Sequence, residues 1–200
     1  MTSASTTLRE LNGLSLGPSS LSESALIMID YQNTYLEGVM KLEGADKAME
    51  EGRKLLALAR SEGIPVFHIR HDAGPGSPYD VSARIGAIAD AVAPKDGEPV
   101  ITKNFPNSFV QTDLDEQLKA KGIKNLILAG FMTHMCINST AHGGFNLGYA
   151  PTVVASATAT RSLKAANGKV LSAQEVHDGA LASTRDLYAA VVDKVTDLPA

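Results

Sequence analysis

The chain has 200 residues, of which 44% are hydrophobic, so it is long enough for one well-filled core and short for two domains. Its net charge of -4 and its dispersed basic residues argue against nucleic-acid binding, and no apolar run approaches the roughly 18 to 20 residues of a membrane-spanning helix. The single cysteine, Cys136, excludes a disulfide within the chain.

Residues 1–20 are rich in Ser, Thr, Gly and Pro, which predicts a poorly packed N-terminal arm ahead of one folded domain at residues 21–200. The arm has no charged start followed by an apolar block, as a signal peptide would have. We therefore expect a cytoplasmic location, with neither nucleic acid nor a membrane as a partner.

Short apolar runs separated by helical patterns predict the secondary structure. The run ALIMI at residues 25–29 is apolar at every position and stops at Asp30, as in a strand that is buried on both faces. The predicted strands cover residues 25–29, 64–69, 99–102, 125–129, 152–156 and 188–192. The predicted helices cover residues 45–62, 83–91, 112–121 (with Thr112 as N-cap), 133 or 134 to 147, and 173–184.

Six strands that alternate with helices predict an α/β fold, because each parallel crossover needs a covering element. The expected architecture is a single doubly wound domain with a six-stranded, mostly parallel sheet and helices on both faces. An antiparallel α+β layer is the alternative.

Three polar residues follow three different predicted strands. Asp30 follows the first strand, Lys103 the third, and Cys136 lies in the turn into the helix after the fourth. Ligands of open parallel sheets bind beyond the carboxyl ends of the strands, near the point where the strand order reverses. These residues are therefore candidates for one composite active site.

Cys136 has two interpretations. In the first turn of a helix, free N–H groups and the helix dipole would stabilise a thiolate, lower its pKa and hold an oxyanion. A free cysteine is also often a small apolar core residue. Asp30 alone could cap a loop, and Lys103 alone could be a surface lysine. Together they form a chemical unit, in which the carboxylate accepts the thiol proton and the ammonium balances the charge.

The motifs around these residues resemble those of the isochorismatase-like hydrolases, also called the cysteine hydrolase family. ALIMIDYQNTY is similar to the opening strand with its catalytic aspartate, and ITKNFPNSF to the lysine segment. LILAGFMTHMCINSTA contains the G-x-x-T-x-x-C pattern of the cysteine segment, and VHDGALASTRDLYAAVV resembles the closing helix and strand. The resemblance covers residues 24 to 195.

The resemblance implies an isochorismatase-like fold and a covalent mechanism with Asp30, Lys103 and Cys136 as the catalytic triad. Cys136 would attack the carbonyl carbon of an amide or ureido C–N bond to form a thioester, which water then hydrolyses. A cis peptide at Phe131–Met132 would direct the amides of Met132 and Cys136 at the oxyanion. The expected partners are a small-molecule substrate and further copies of the chain, as a dimer or a larger homo-oligomer.

Departures from known branches of the family narrow these expectations. The Asp-x-His…His zinc signature of nicotinamidases is missing, and strand alternation sends His68 and His71 of the H-x-x-H-D cluster to opposite sides. We expect no metal there, but a structural or substrate-contacting role. The loop at 71–80 lacks the third glycine of a dinucleotide fingerprint, so no cofactor is expected.

Several further residues are candidates for the substrate pocket, with ordinary packing or exposure as the alternative for each. Gln32 would face the same side as Asp30 and orient it by a hydrogen bond. The Gly- and Pro-rich loop at 71–80 would shape the pocket or that of a neighbouring subunit. The other candidates are Tyr35, Arg70, Phe105, Asn107 and His134.

Three functions remain open at this point. The first is hydrolysis of a C–N bond in a small amide or ureido compound through Cys136. The second is vinyl-ether hydrolysis of an isochorismate-like acid, with Asp30 as general acid and no need for the thiol. The third is a thiol sensor or an inactive binding scaffold.

Overall fold

The structure is a computed structural model that describes residues 4–199. The strands are β1 (Ser24–Ile29), β2 (Val66–His71), β3 (Val100–Lys103), β4 (Asn125–Phe131), β5 (Ala150–Ala159), β6 (Leu163–Lys164), β7 (Val170–Leu171) and β8 (Ala190–Val192). The α-helices are α1 (Leu8–Leu11), α2 (Ala45–Ser61), α3 (Leu114–Ala120), α4 (Asn138–Asn146) and α5 (Ala173–Leu187). None of these helices is long and apolar enough to cross a bilayer.

Six strands form one parallel sheet in the order β3-β2-β1-β4-β5-β8. The predicted α/β fold is therefore confirmed, and the antiparallel alternative is wrong for this sheet. The order reverses between β1 and β4, because the chain builds outward from β1 in one direction and then from β4 in the other. A separate pair, β6 and β7, is antiparallel and was not predicted.

The two faces of the sheet belong to two apolar clusters. Leu26 and Met28 of β1 pack with Leu55 of α2 on one face. Ile27 and Ile29 pack on the other face, with residues of α3 and α4. Alternate residues of one strand thus enter both clusters, which is why β1 is apolar at nearly every position.

The helix predicted at 83–91 is wrong. Two 3-10 turns, Arg84–Gly86 and Asp90–Val92, take its place. The backbone between them bonds to the segment after β1: Asn33 N–H donates to Ala87 O, and Ala89 N–H donates to Tyr31 O. These groups are therefore not available for a helix of their own.

Other helix ends differ in detail from the prediction. Asp113, not Thr112, is the N-cap of α3; the Thr112 hydroxyl donates to Ser108 O at 2.6 Å and accepts the N–H of Leu114 only at 3.5 Å. The helix expected from 133 or 134 starts as a π-helical turn at Thr133–Ile137 and continues as α4.

The N-terminal segment, for which the sequence predicts a poorly packed arm, carries α1. Arg9 of α1 is 7% exposed, and its guanidinium donates to Leu187 O at the end of α5. The N–H of Leu8 donates to Asp186. Residues 4–20 therefore contact the domain through these bonds to α5.

Candidate active site

The end of β1 lies at the point where the strand order reverses. Asp30 follows it with a φ of 53°, in the left-handed region that Asp adopts more readily than most residues. Across from it, a Cβ at Gly130 of β4 would lie 1.8 Å from Ile29 O. Only glycine allows β4 to pass so close to the end of β1. This contact therefore sets the distance between β1 and β4 next to Asp30.

Lys103 joins the other two residues of the predicted triad. Its Nζ lies 2.7 Å from Oδ2 of Asp30 and 3.4 Å from Sγ of Cys136. Asp30 is 0%, Lys103 1% and Cys136 5% exposed. Asp30 after β1, Lys103 at the last position of β3 and Cys136 in the turn after β4 therefore bring a carboxylate, an ammonium and a thiol together in the interior, where water screens their charges little.

The surroundings of the site raise the pKa values of both Cys136 and Lys103. Burial and the Asp30 carboxylate raise the pKa of Cys136 above its ordinary value, although Lys103 opposes them. Burial alone would lower the pKa of Lys103, but Asp30 and Cys136 outweigh it and raise that pKa. The resting site therefore holds an ammonium and a neutral thiol. The lowered thiol pKa expected from the helix start is wrong, because burial beside a carboxylate outweighs the dipole.

Asp30 has unused capacity to accept a proton. Apart from the ion pair with Lys103 and the adjacent thiol, neither of its oxygens has a hydrogen-bond partner among residues 4–199. A buried carboxylate in this state can accept a proton from sulfur without breaking another bond. The arrangement is thus suited to transfer of the Cys136 proton to Asp30.

The cysteine turn, Thr133–Ile137, follows a cis peptide at Phe131–Met132. The carbonyl of Met132 accepts hydrogen bonds from Met135 N–H at 3.0 Å and Ile137 N–H at 3.3 Å. These bonds lie on either side of Cys136 in the chain, so they fix the backbone that carries the sulfur.

Comparison with known proteins identifies the family. The isochorismatase domain model matches residues 24–194. The chain belongs to the isochorismatase family. The uncharacterized isochorismatase family protein YddQ of Bacillus subtilis is 37% identical over 171 residues, covering 84% of this chain and 94% of YddQ.

A relative and a solved structure extend this family assignment. The ureidoacrylate amidohydrolase RutB of Stutzerimonas stutzeri is 31% identical over 173 residues, with coverage of 68% of this chain and 70% of RutB. The crystal structure of an isochorismatase from Pseudomonas putida KT2440 superposes with a TM-score of 0.93 at 36% identity, covering 98% of this chain and 100% of that one. This isochorismatase-family chain is therefore similar to hydrolases in both sequence and fold.

Tyr35 and Gln32 are the predicted pocket residues in the segment that follows Asp30. Tyr35 is 1% exposed, and burial, together with the Asp30 carboxylate, raises its pKa. Gln32 does not orient Asp30 as expected. Its amide instead donates to the carbonyls of His71 and Gly86, and its oxygen accepts from His71 N–H.

Of the other four predicted pocket residues, three hydrogen-bond to partners of their own and one is exposed. Arg70 donates to the Thr102 hydroxyl on the sheet face opposite to Lys103, because alternate strand residues point to opposite faces. Phe105 is 42% exposed. Asn107 accepts the N–H of Phe109. His134 hydrogen-bonds to the Thr160 hydroxyl.

His71 and Tyr79, both in the loop at 71–80 that was expected to shape the pocket, lie beside the triad; His71 was also a candidate for a structural or substrate-contacting role. Nδ1 of His71 is 3.3 Å from Nζ of Lys103, and the His71 and Tyr79 rings are 5.1 Å apart. Tyr79 lies in the predicted pocket-shaping loop at 71–80. His68, by contrast, bonds to Glu98 at 2.9 Å, so the two histidines have separate partners.

A cleft of about 1040 Å³ lies away from the thiol. The start of α2, the end of β5 and the start of α5 line it, and His177 of α5 is one of its lining residues. Cys136 is not. The cleft therefore contacts the cysteine turn on the side away from the thiol, through His177 and Thr158, which hydrogen-bond to Thr133, and through Thr160, which hydrogen-bonds to His134.

Proposed function

We propose that this protein is a cysteine hydrolase that cleaves a C–N bond of a small amide or ureido compound through a thioester on Cys136. The observation that carries the proposal is the position of Lys103 Nζ between Oδ2 of Asp30 and Sγ of Cys136, at 2.7 and 3.4 Å. A cysteine that only fills the core needs neither the Asp30 carboxylate nor the Lys103 ammonium beside it. A nucleophile that is neutral at rest needs both.

In the first half-reaction, Sγ attacks the carbonyl carbon while Asp30 accepts the thiol proton. Negative charge moves to the carbonyl oxygen, where the amides of Met132 and Cys136 are the proposed donors. The C–N bond then breaks, and Asp30 passes its proton to the leaving nitrogen. The products are a thioester on Cys136 and a free amine or ammonia.

In the second half-reaction, water attacks the thioester and gives a proton to Asp30. The C–S bond breaks, the acid product leaves, and Asp30 returns the proton to sulfur. Lys103 stays charged throughout and stabilises whichever of its two neighbours is anionic. Each group ends in the state in which it began.

The substrate class draws support from RutB, whose name is ureidoacrylate amidohydrolase. The buried site also fits a small substrate, because the thiol is 5% exposed and aromatic rings lie around it. We therefore expect a compact amide or ureido compound rather than a peptide.

Vinyl-ether hydrolysis is the second candidate, and the solved isochorismatase from Pseudomonas putida favours it. In that reaction Asp30 would protonate the substrate, and the sulfur would form no bond. The raised pKa of Cys136 is compatible with a sulfur that stays protonated. The two functions therefore differ in what removal of the sulfur does.

The test compares wild type with Cys136→Ala on ureidoacrylate, N-carbamoylglycine, acetamide and isochorismate. Ammonia release reports the first three, and pyruvate release reports the last. We expect ammonia from at least one amide or ureido compound with wild type and none with Cys136→Ala at an unchanged melting temperature. Unchanged ammonia release by the variant contradicts the thioester, and pyruvate release by both proteins favours the vinyl-ether reaction.

A further inference from the structure

Three hydroxyl and imidazole groups form a chain behind the cysteine turn. Thr133, the first residue of the turn, donates its hydroxyl proton to Oγ1 of Thr158 at 3.0 Å. Thr158 in turn donates to Ala155 O at 3.0 Å. Nδ1 of His177, on α5, also lies 3.0 Å from Oγ1 of Thr133. The chain thus links α5 and β5 to the turn that carries Cys136.

An irregularity in β5 makes this chain possible. Leu128 of β4 pairs with Val153, and Gly130 pairs with Thr158, so a step of two residues in β4 faces a step of five in β5. Extra residues of this kind bend a strand and re-aim its side chains. Thr158 is thereby directed at Thr133, and Ala155 O receives the Thr158 hydroxyl.

A count of protons assigns the direction of the last bond. A threonine hydroxyl has one proton to donate and two lone pairs to accept with. The Thr158 proton is bound to Ala155 O and the Thr133 proton to Thr158, so Thr133 can only accept from His177. The bond therefore requires a proton on Nδ1 of His177.

We propose that His177 is a positioning residue, an obligatory Nδ1–H donor that holds Thr133 and with it the start of the cysteine turn. This inference rests on the proposed function of Cys136. Met132, whose amide is a proposed oxyanion donor, directly precedes Thr133, so a shift of Thr133 moves that amide. His177 touches no reacting group.

The environment of His177 fits this assignment. The ring is half-buried, and burial lowers its pKa, although Asp178 opposes the shift. A neutral imidazole carries one proton, and the hydrogen bond to Thr133 selects Nδ1 for it over Nε2. His177 then acts as a neutral donor at neutral pH.

The reversed chain is the competing arrangement. There Thr158 would donate to Thr133, Thr133 would donate to Nδ1, and the His177 proton would sit on Nε2. That pattern removes the hydroxyl donor from Ala155 O, at a position where the pairing of β4 with β5 is interrupted. Buried carbonyls without a partner are unfavourable.

Nitrogen-15 NMR of the imidazole side chains reads the tautomer directly, with His177→Asn used to assign the signal. We expect Nδ1 protonated and Nε2 unprotonated in the wild type. A signal for the Nε2–H tautomer overturns the proposal. Because this measurement needs no turnover, it is independent of whether the proposed function holds.

A matched pair of variants tests the positioning role. The amide nitrogen of Asn can take the place of Nδ1, whereas that of Gln takes the place of Nε2. We expect His177→Gln to lower kcat for p-nitrophenyl acetate about tenfold with little change in KM. The reason is that displacement of the Met132 amide would weaken one hydrogen bond to the oxyanion in the transition state. His177→Asn is expected to retain most of kcat, as is the control His142→Gln on α4.

Alkylation of Cys136 by iodoacetamide supplies a readout that requires no substrate. A turn that loses its restraint opens more often, so His177→Gln should be alkylated faster than wild type and His177→Asn should not. Equal alkylation and equal kcat of the two variants overturn the positioning role. If wild type forms no acyl-enzyme but the alkylation rates differ as stated, the proposed function fails and the role of His177 in the turn stands.

Discussion

Nζ of Lys103 lies 3.3 Å from Nδ1 of His71, and an ammonium can only donate. Nδ1 of His71 is therefore the acceptor, and its neutral ring carries the proton on Nε2. Burial and the Lys103 charge both lower the pKa of His71, which agrees with a neutral ring. Together with Asp30 and Cys136, His71 provides one acceptor for each of the three Lys103 protons.

Lys103 and Asp30 should depend on each other for stability. Lys103→Met leaves the Asp30 carboxylate buried without its counter-charge, which typically costs about 3 to 5 kcal/mol. The double variant Lys103→Met with Asp30→Asn removes both charges, so we expect it to recover a large part of that loss. Urea unfolding at pH 7 gives the free energies.

The surface pair Lys119–Asp115 is the matched control, because its lysine side chain is 61% exposed. Lys119→Met should change the free energy of unfolding by less than about 1 kcal/mol. A double variant at the buried pair that is as unstable as the sum of the two single variants would show that the two charges do not interact.

Asp30→Asn should have opposite effects on the reactivity of the thiol and on turnover. The Asp30 carboxylate raises the pKa of Cys136, whereas Lys103 lowers it. Without the carboxylate, we expect the iodoacetamide rate to level off at a lower pH than in wild type. Hydrolysis should nevertheless fall by about a hundredfold or more, because no base remains to shuttle the proton.

The pH profile of alkylation, followed by mass spectrometry of the Cys136 peptide, gives the thiol pKa of both proteins. In wild type the thiol pKa of Cys136 should lie above the ordinary pKa of a cysteine. A thiol pKa that rises in Asp30→Asn would show that the carboxylate does not raise it.

Tyr79 should limit access to the thiol. Its ring packs edge-to-face on His71 at 5.1 Å and on Tyr35 at 5.9 Å. Tyr79→Ala removes this cover, so we expect a severalfold faster reaction of Cys136 with a disulfide reagent that releases a coloured thiolate. Tyr79→Phe keeps the ring and should react at the wild-type rate. Equal rates for the Ala and Phe variants would place the access route elsewhere.

Acid should destabilise the protein through Glu98 and His68. Hydrogen bonds from Arg60 are the main cause that lowers the pKa of Glu98 from 4.5 to about 2. The stability from Glu98 is therefore present above pH 4.5 and is lost as the pH falls towards 2. Burial lowers the pKa of His68 below 6.5, so the unfolded chain binds this proton first and stability also falls below pH 6.5.

Glu98→Gln tests this prediction. Because the carboxylate accepts bonds from Arg60 and from His68, we expect a loss of about 2 kcal/mol at pH 7. The difference from wild type should shrink between pH 4.5 and 3, as followed by urea unfolding. A difference that stays constant with pH would exclude Glu98 as the titrating group.

The end of β1 was predictable from the sequence to the residue and the other ends of the six-stranded sheet to within three residues, and with them the three residues of the proposed triad. ALIMI stops at Asp30, and in a parallel sheet such stops meet at one edge. The same logic could not place Tyr79 or His177. Tyr79 reaches the triad from a loop without periodicity, and His177 reaches Thr133 from α5, 44 positions later in the chain.

The helix predicted at 83–91 failed for a related reason. Its composition suits a helix, but the backbone at Ala87 and Ala89 pairs with residues after β1 that are more than fifty positions earlier. Long-range pairing of this kind overrides local propensity. The pKa of Cys136 was also beyond a local pattern, since it depends on burial and on Asp30.

The central claim is that Cys136 forms a covalent acyl intermediate. Wild type, Cys136→Ala and Asp30→Asn are mixed with p-nitrophenyl acetate, quenched within the first turnover and analysed by mass spectrometry of their peptides. We predict one acetyl group on the peptide that contains Cys136 in wild type, accompanied by a burst of p-nitrophenolate, and no burst in either variant. An equal burst in Cys136→Ala, or a wild-type acetyl group confined to another residue, would contradict it.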